Sequence, residues 1–225
     1  MPKTLSPADI EAFRARLCNL AEGLFAAHGP DGVTMRQLAD AMGVSSMTTY
    51  RYFEDKDAIL AAVRTAAFNR FAAAMEAEMA RAIAAAGSTD AEAKPAISLT
   101  QRGALAADGA GNAYLDFALS NRAAYRMMFD VDQPTAEKYP ALVAAMDRAR
   151  ATMGDGLRLL SEQGRFRGDV EQTAHIFWSA MHGPVMLELA GLLQPPLDAR
   201  AIAGPMLKML AEKMGVSQGQ GQGQG

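Results

Sequence analysis

Residues 43–56 read GVSSMTTYRYFEDK, and they decide the fold. On either side the chain is Ala, Leu and Met in helical rhythm. Here it changes to short hydroxyl side chains, two tyrosines, one arginine and a glycine-led turn. Upstream, Thr34-Met35-Arg36-Gln37 has the pattern of a capping box. It opens a short helix that runs through Leu38, Ala39 and Met42 and stops at Gly43. Downstream, Ser45 is placed to cap a third helix carrying Met47 to Tyr52. Two short helices joined by Gly43-Val44 are the layout of a helix-turn-helix. Gly43 permits the left-handed backbone that such a turn often requires. Leu38, Ala39, Val44 and Tyr50 are expected to supply the packing face. Ser46, Met47, Thr48, Arg51 and Tyr52, with Ser45 at the helix start, are expected to face outward. Hydroxyls bond phosphates or base edges, methyl groups of Thr and Met meet the thymine methyl, and Arg bonds guanine or phosphate. Such a face suits a DNA major groove. Two short helices of an ordinary bundle would account for the same spacing.

The helical rhythm extends in both directions. Ser6-Pro7-Ala8-Asp9 reads as a helix start, with Ser6 as N-cap, Pro7 in the first turn and Asp9 near the positive end of the dipole. Ile10, Phe13, Leu17, Leu20 and Leu24 recur at steps of three and four, predicting one apolar stripe. His28-Gly29-Pro30 ends that helix. Asp55 is placed to cap a long fourth helix with Ile59, Leu60, Val63, Ala67, Phe68 and Phe71 along one side. Ala84 to Pro95 reads as a loop. Helices are expected over residues 98–120, 121–130, 135–163, 169–193 and 198–214. Pro140 is tolerable only near a first turn or at a kink, and Pro184 predicts a kink. Residues 164–168 are expected to turn. The end of the chain alternates Gly with Gln; residues 216–225 are expected to be disordered. No segment has strand periodicity. The predicted fold class is all-α, with about nine helices.

Composition excludes several classes. At 225 residues and 50% hydrophobic the chain has ample core. A net charge of -3 provides no global attraction to nucleic acid or anionic membrane. The first 60 residues carry six bases (Lys3, Arg14, Arg16, Arg36, Arg51 and Lys56) against eight acids. A DNA reader built from them must concentrate Arg36, Arg51 and Lys56 on one surface. The single cysteine, Cys18, excludes an internal disulfide framework. No signal peptide and no membrane span are expected, and a cytoplasmic location is the default. His28, His175 and His182 are not in metalloprotease spacing, and no nucleophile motif, phosphate loop or cofactor fingerprint is present. The expectation is no enzyme, no metal and no cofactor.

From Gly32 to Leu60 the chain carries T-x-R-x-L-A-x-x-x-G-V-S, then Y-x-x-F and K-x-x-x-L. This run resembles the DNA-binding signature of TetR/AcrR-family transcriptional regulators. The resemblance implies a three-helix N-terminal DNA-binding unit, a helical inducer-binding domain and a homodimer. It implies that Thr34 caps the second helix beside a phosphate and that Arg36 contacts base or phosphate. It places Ser46, Met47 and Thr48 at base-reading positions, Tyr50 and Tyr52 at backbone-touching positions, and Lys56 on a phosphate at the start of the fourth helix. Phe53 fits as core. Met47 and Thr49 depart from the residues usual there, which leaves the operator sequence open.

Farther on, Trp178, His182 and Gly183 form W-x-x-x-H-G, with Trp178 and His182 one helical turn apart. Together with NRAAYRMMFD (121–130), this resembles the C-terminal domain of a TetR subgroup named for Trp-His-Gly. Trp178 and His182 either border a ligand pocket or are satisfied core residues. Phe117, Tyr125, Met128, Phe129, Met153, Leu157 and Phe177 lie on helices expected to surround the domain interior, suiting a small hydrophobic effector. Val185, Leu189, Leu192, Leu193, Ile202, Met206, Met209 and Leu210 predict apolar stripes on the last two helices, and so a homodimer through a four-helix bundle. The expected organisation is a helix-turn-helix domain (1–53), a connecting helix (54–84) that transmits between domains, a ligand-binding and dimerisation domain (85–215) and the tail (216–225). The expected partners are a double-stranded DNA operator and the effector, with no membrane. The rival reading is a helical adaptor that has lost DNA binding.

Overall fold

The computed structural model describes residues 6–87, 99–129 and 138–214. Among them the chain forms nine helices and no strand: α1 (Pro7–His28), α2 (Met35–Met42), α3 (Ser46–Tyr50), α4 (Lys56–Gly87), α5 (Leu99–Ser120), α6 (Arg122–Phe129), α7 (Pro140–Glu162), α8 (Val170–Leu189) and α9 (Ala199–Lys213). The all-α expectation holds. No described helix is long and apolar enough to cross a membrane.

Local chemistry sets the helix ends. Ser6 and Asp9 form a capping box: the Asp9 N–H donates to Ser6 Oγ at 3.1 Å, and the Ser6 N–H donates to an Asp9 carboxylate oxygen at 3.0 Å. The Ser6 hydroxyl, donating to the same carboxylate oxygen at 2.8 Å, and then the Ser6 N–H hold the Asp9 carboxyl below its ordinary pKa. Thr34 and Gln37 repeat the arrangement on α2, with Gln37 Oε1 accepting from the Thr34 N–H at 2.8 Å. Asp55, Asp169 and Asp198 each accept a backbone N–H at the starts of α4, α8 and α9. Pro140 is the first residue of α7, where its missing N–H costs nothing. Gly43 closes α2 in the left-handed region (φ 70, ψ 32), and the Val44 N–H donates to the Ala39 carbonyl at 3.0 Å. A side chain added at Gly43 would meet no heavy atom within 4 Å, so substitution there is opposed by backbone strain alone. Gly43→Ala should therefore cost about 1–2 kcal/mol, read as a lowered urea midpoint at unchanged m-value.

Several boundaries differ from expectation. Ala84 to Gly87 continue α4 and are not loop; residues 88–95 lie outside the described residues, as does the tail. α8 ends at Leu189 rather than Leu193 because the chain turns through Gly191 at φ 70. The α1 stripe is rotated. Leu17, Ala21 and Phe25 are fully buried, whereas Ile10 and Leu20 are more than a third exposed. Positions 17, 21 and 25 recur every four residues, and Ala21 belongs to the same buried cluster as Leu17 and Phe25.

The chain divides into two compact units, and these do not follow the expected linear domains. One is Met1–Arg70 with Asn121–Arg148; the other is Phe71–Ser120 with Ala149–Gly225. α6 packs on α1, and its Met127 enters a core made by Leu17, Phe25, Val33, Leu38, Met42, Phe53, Ile59, Leu60 and Val63. The segment 121–148 is also tied to α4 and its cap by polar contacts: Lys138 to Asp55 at 3.4 Å, and Arg148 to Asn69 at 3.1 Å. In the second unit α8 packs on α9 and α5. α5 approaches α9 closely at Gly111, where an added Cβ would sit 3.0 Å from Leu207. The Ala199 N–H at the head of α9 donates to Glu188 Oε2 at 2.8 Å.

Candidate nucleic-acid interface

The third helix is only five residues long, too short to be stable alone, so its neighbours must hold it. Thr49 is the inward residue, fully buried, with its hydroxyl donating to the Ser46 carbonyl at 2.7 Å. That bond satisfies the polar group within its own turn, which is how a threonine can serve as core. Phe53, 3% exposed, anchors the segment beyond the helix. The Arg14 guanidinium of α1 donates to the Tyr52 carbonyl at 2.7 Å and lies 4.2 Å over the Phe53 ring. Arg16 reaches the Met42 carbonyl at the end of α2, at 3.4 Å. Two of the six bases counted in the sequence are thus committed to backbone carbonyls inside the unit. Nothing in their spacing marks them for it.

What remains outward is Met47, 74% exposed, Tyr50, 50% exposed, and Arg51, also exposed. Two expectations need correction. Tyr50 does not pack inward; Thr49 takes that place, because a five-residue helix turns only one face to the core. Tyr52 does not project freely: it is half-buried, its ring stacked on Phe13 at 3.9 Å and 17°. Ser46 and Thr48 are half-buried, and the hydroxyls of Ser45 and Thr48 bond each other at 3.0 Å. Thr34 is exposed at the head of α2. Arg36 is exposed and pairs loosely with Asp40 at 3.8 Å. The Lys56 ammonium is half-buried and donates to the Pro30 carbonyl at 2.7 Å, with the Asp31 carboxylate at 3.8 Å. The positive charge of this face therefore rests chiefly on Arg36 and Arg51.

The residues expected to meet an effector are dispersed. Tyr125 and Met128 lie in α6, buried in the first unit, with Tyr125 tilted against Phe129 at 4.9 Å. Met153 and Phe177 pack in the second unit around Leu157, Leu160, Phe166 and Ala174. Phe117, Trp178 and His182 belong to a different cluster of that unit. Trp178 Nε1 donates to the buried Tyr114 hydroxyl at 3.0 Å, and Tyr114 and Phe117 both meet Phe71 edge-on. Trp178 sits between His175 and His182, at 5.9 and 5.8 Å.

Burial holds the His182 imidazole below its ordinary pKa of 6.5, so the ring is neutral near neutral pH. The unfolded chain takes up that proton first as pH falls. The stability linked to His182 is fully present above pH 6.5 and is lost below it. Thermal melts compared between about pH 7.5 and about pH 5.5 should fall less for His182→Gln than for the wild type.

Burial also pushes the Cys18 thiol up to about 11, which keeps it protonated and unreactive. Among the described residues no cluster of His, Cys, Asp and Glu is arranged to hold a metal ion.

Against known proteins, residues 17–63 match a family model described as "Bacterial regulatory proteins, tetR family". Residues 108–210 match one described as "Tetracyclin repressor-like, C-terminal domain", a description broader than the Trp-His-Gly type. No curated protein matches the chain. Among solved structures, a protein with unknown function from Rhodococcus sp. RHA1 is similar over 96% of this chain and 99% of its own, at 24% identity and a TM-score of 0.69. The TetR family transcriptional regulator PfmR from Thermus thermophilus is similar over 88% and 97%, at 20% identity and a TM-score of 0.62. The fatty acid degradation regulator FadR from Bacillus halodurans is similar over 92% and 96%, at 16% identity and a TM-score of 0.64. At these identities the likeness is one of fold.

Proposed function

Because the chain belongs to the TetR family of bacterial regulatory proteins, DNA-binding transcription factors and not enzymes, we propose that it is a homodimeric repressor, released from a palindromic operator by a small hydrophobic effector. The observation that carries the reading is the outward face of α3. Met47, Tyr50 and Arg51 stand in solvent while Thr49, Phe53 and the Arg14 contact fix the helix behind them. Met47 supplies an apolar contact for a thymine methyl, and Arg51 a fork for guanine or phosphate. Thr34, Arg36, Ser45, Ser46 and Thr48 add short-range contacts to the backbone or to base edges, and Lys56 exchanges its carbonyl partner for a phosphate.

Dimerisation is assigned to α8, α9 and the turn between them. Leu187, Leu192, Leu197 and Met209 are 42–68% exposed there, an apolar surface that a second copy would cover. Val185 and Leu189 are spent inside their own chain, at 0% and 7% exposure. Two-fold symmetry would set the recognition helices roughly 34–36 Å apart. The effector is assigned to the Phe117, Trp178 and His182 cluster, with aromatic faces and a neutral imidazole. An effector that binds better to a conformer with altered recognition-helix spacing lowers operator affinity by linkage.

Fluorescence anisotropy on DNA upstream of the coding region tests the operator claim. Sequence-selective binding is expected, with a shallow salt dependence because few cations are free to displace counterions. An absence of selective binding at low salt ends this reading. The rival, a helical adaptor without DNA binding, draws support from the acidic balance and from the engaged Lys56. It predicts no loss of function in Arg51→Ala.

A further inference from the structure

Among the described residues, Arg64 is the one buried charged side chain, at 4% exposure. It stands on α4, two turns past Lys56, and reaches the end of another helix. Its Nε donates to the Met127 carbonyl at 3.1 Å, and an Nη donates to the Met128 carbonyl at 3.3 Å. Both carbonyls belong to the last turn of α6, where a helix has no intrahelical donors left. The negative end of the α6 dipole meets the guanidinium there. The seat around it is aromatic: Arg64 lies 5.9 Å over Phe68, Phe68 meets Phe129 edge-on at 6.1 Å, and Phe129 meets Tyr125 at 4.9 Å. The same turn inserts Met127 into the core that holds α1, α2 and the head of α4.

A helix of eight residues is marginal alone and draws its order from such tertiary partners. The helix that carries the partner also supplies Ile59, Leu60 and Val63 to the core behind the helix-turn-helix. We propose that Arg64 is a positioning residue. It caps α6 in trans and makes the order of that turn and the operator-competent packing of the first unit one coupled equilibrium. Whatever loosens α6 weakens operator binding, and operator binding in turn tightens α6. The inference rests on the operator reading above, and by linkage the two effects are equal in size.

Hydrogen exchange of the full-length protein, with and without operator DNA, tests this without knowledge of the effector. In the wild type, saturating operator should slow exchange of the α6 amides by about tenfold, within the usual range of allosteric coupling. In Arg64→Met the protein should still bind operator, more weakly, and protect α2 and α3, yet leave α6 exchange unchanged. Arg64→Lys retains a single donor centre and should restore part of the protection; it serves as the main variant if Arg64→Met does not fold. A purely structural arginine would lower the melting temperature but leave the operator-induced slowing intact. That result, or wild-type α6 exchange indifferent to bound operator, overturns the proposal. No operator binding in the wild type overturns the operator reading itself, a separate and recognisable outcome.

Discussion

Phe25→Ala should destabilise the first unit by about 3–5 kcal/mol, the usual cost of truncating a fully buried phenylalanine. Phe25 has no exposed surface and lies in the cluster that seats α1 against α2, α4 and α6. A domain of this size holds only about 5–15 kcal/mol in total, so the variant should lose operator binding through unfolding. Urea unfolding followed by far-ultraviolet circular dichroism reads the loss. The control is Leu20→Ala on the same helix. Leu20 is 38% exposed, and its truncation should cost well under about 1 kcal/mol. Equal costs at the two positions would mean that the face of α1 turned to the core has been misassigned.

Arg51→Ala carries the second large effect. Arg51 follows α3, is exposed, and has no ion pair among the described residues, so its fork is available to a ligand. Loss of an arginine contact should cost about 1–3 kcal/mol per protomer, and a symmetric dimer loses it twice. Thermal stability should be unchanged, because nothing in the fold depends on that side chain. The pattern of loss separates two roles. Weakening uniform across sequences, with a salt slope reduced by about one per contact, marks a phosphate partner; relaxed preference at one base pair marks a guanine. Tyr52→Ala should differ: its ring is committed to Phe13, so melting temperature and affinity should fall together. Unchanged operator affinity in a folded Arg51→Ala would remove α3 from the interface.

The helix-turn-helix was legible because its signals are local. A capping box needs only Thr34 and Gln37, and a left-handed turn needs only Gly43. Asp169 and Asp198 marked the starts of α8 and α9 for the same reason. Periodicity failed where two faces of a helix were both apolar. In α1 the larger residues Ile10 and Leu20 outweighed Ala21 on paper, yet Ala21 is fully buried and they are not. The same ambiguity set Tyr50 inward and left Thr49 out of the packing face. A threonine hydroxyl looks polar until its own turn supplies the acceptor.

By itself, the sequence determined the all-helical class, the side-chain caps of α1, α2 and α9, the turn at Gly43 and the position of the short third helix. These depend on backbone hydrogen bonds and conformational preferences within four or five residues. Only tertiary structure decided which arginines are structural, that α6 belongs to the core of the first unit, and that Trp178 bonds Tyr114 rather than standing with Tyr125. Arg14, Arg64 and Arg51 are the same side chain chemically. What distinguishes them is whether the carbonyls of another segment lie within hydrogen-bond reach of the guanidinium, and contacts across 38 or 63 residues leave no mark in local spacing.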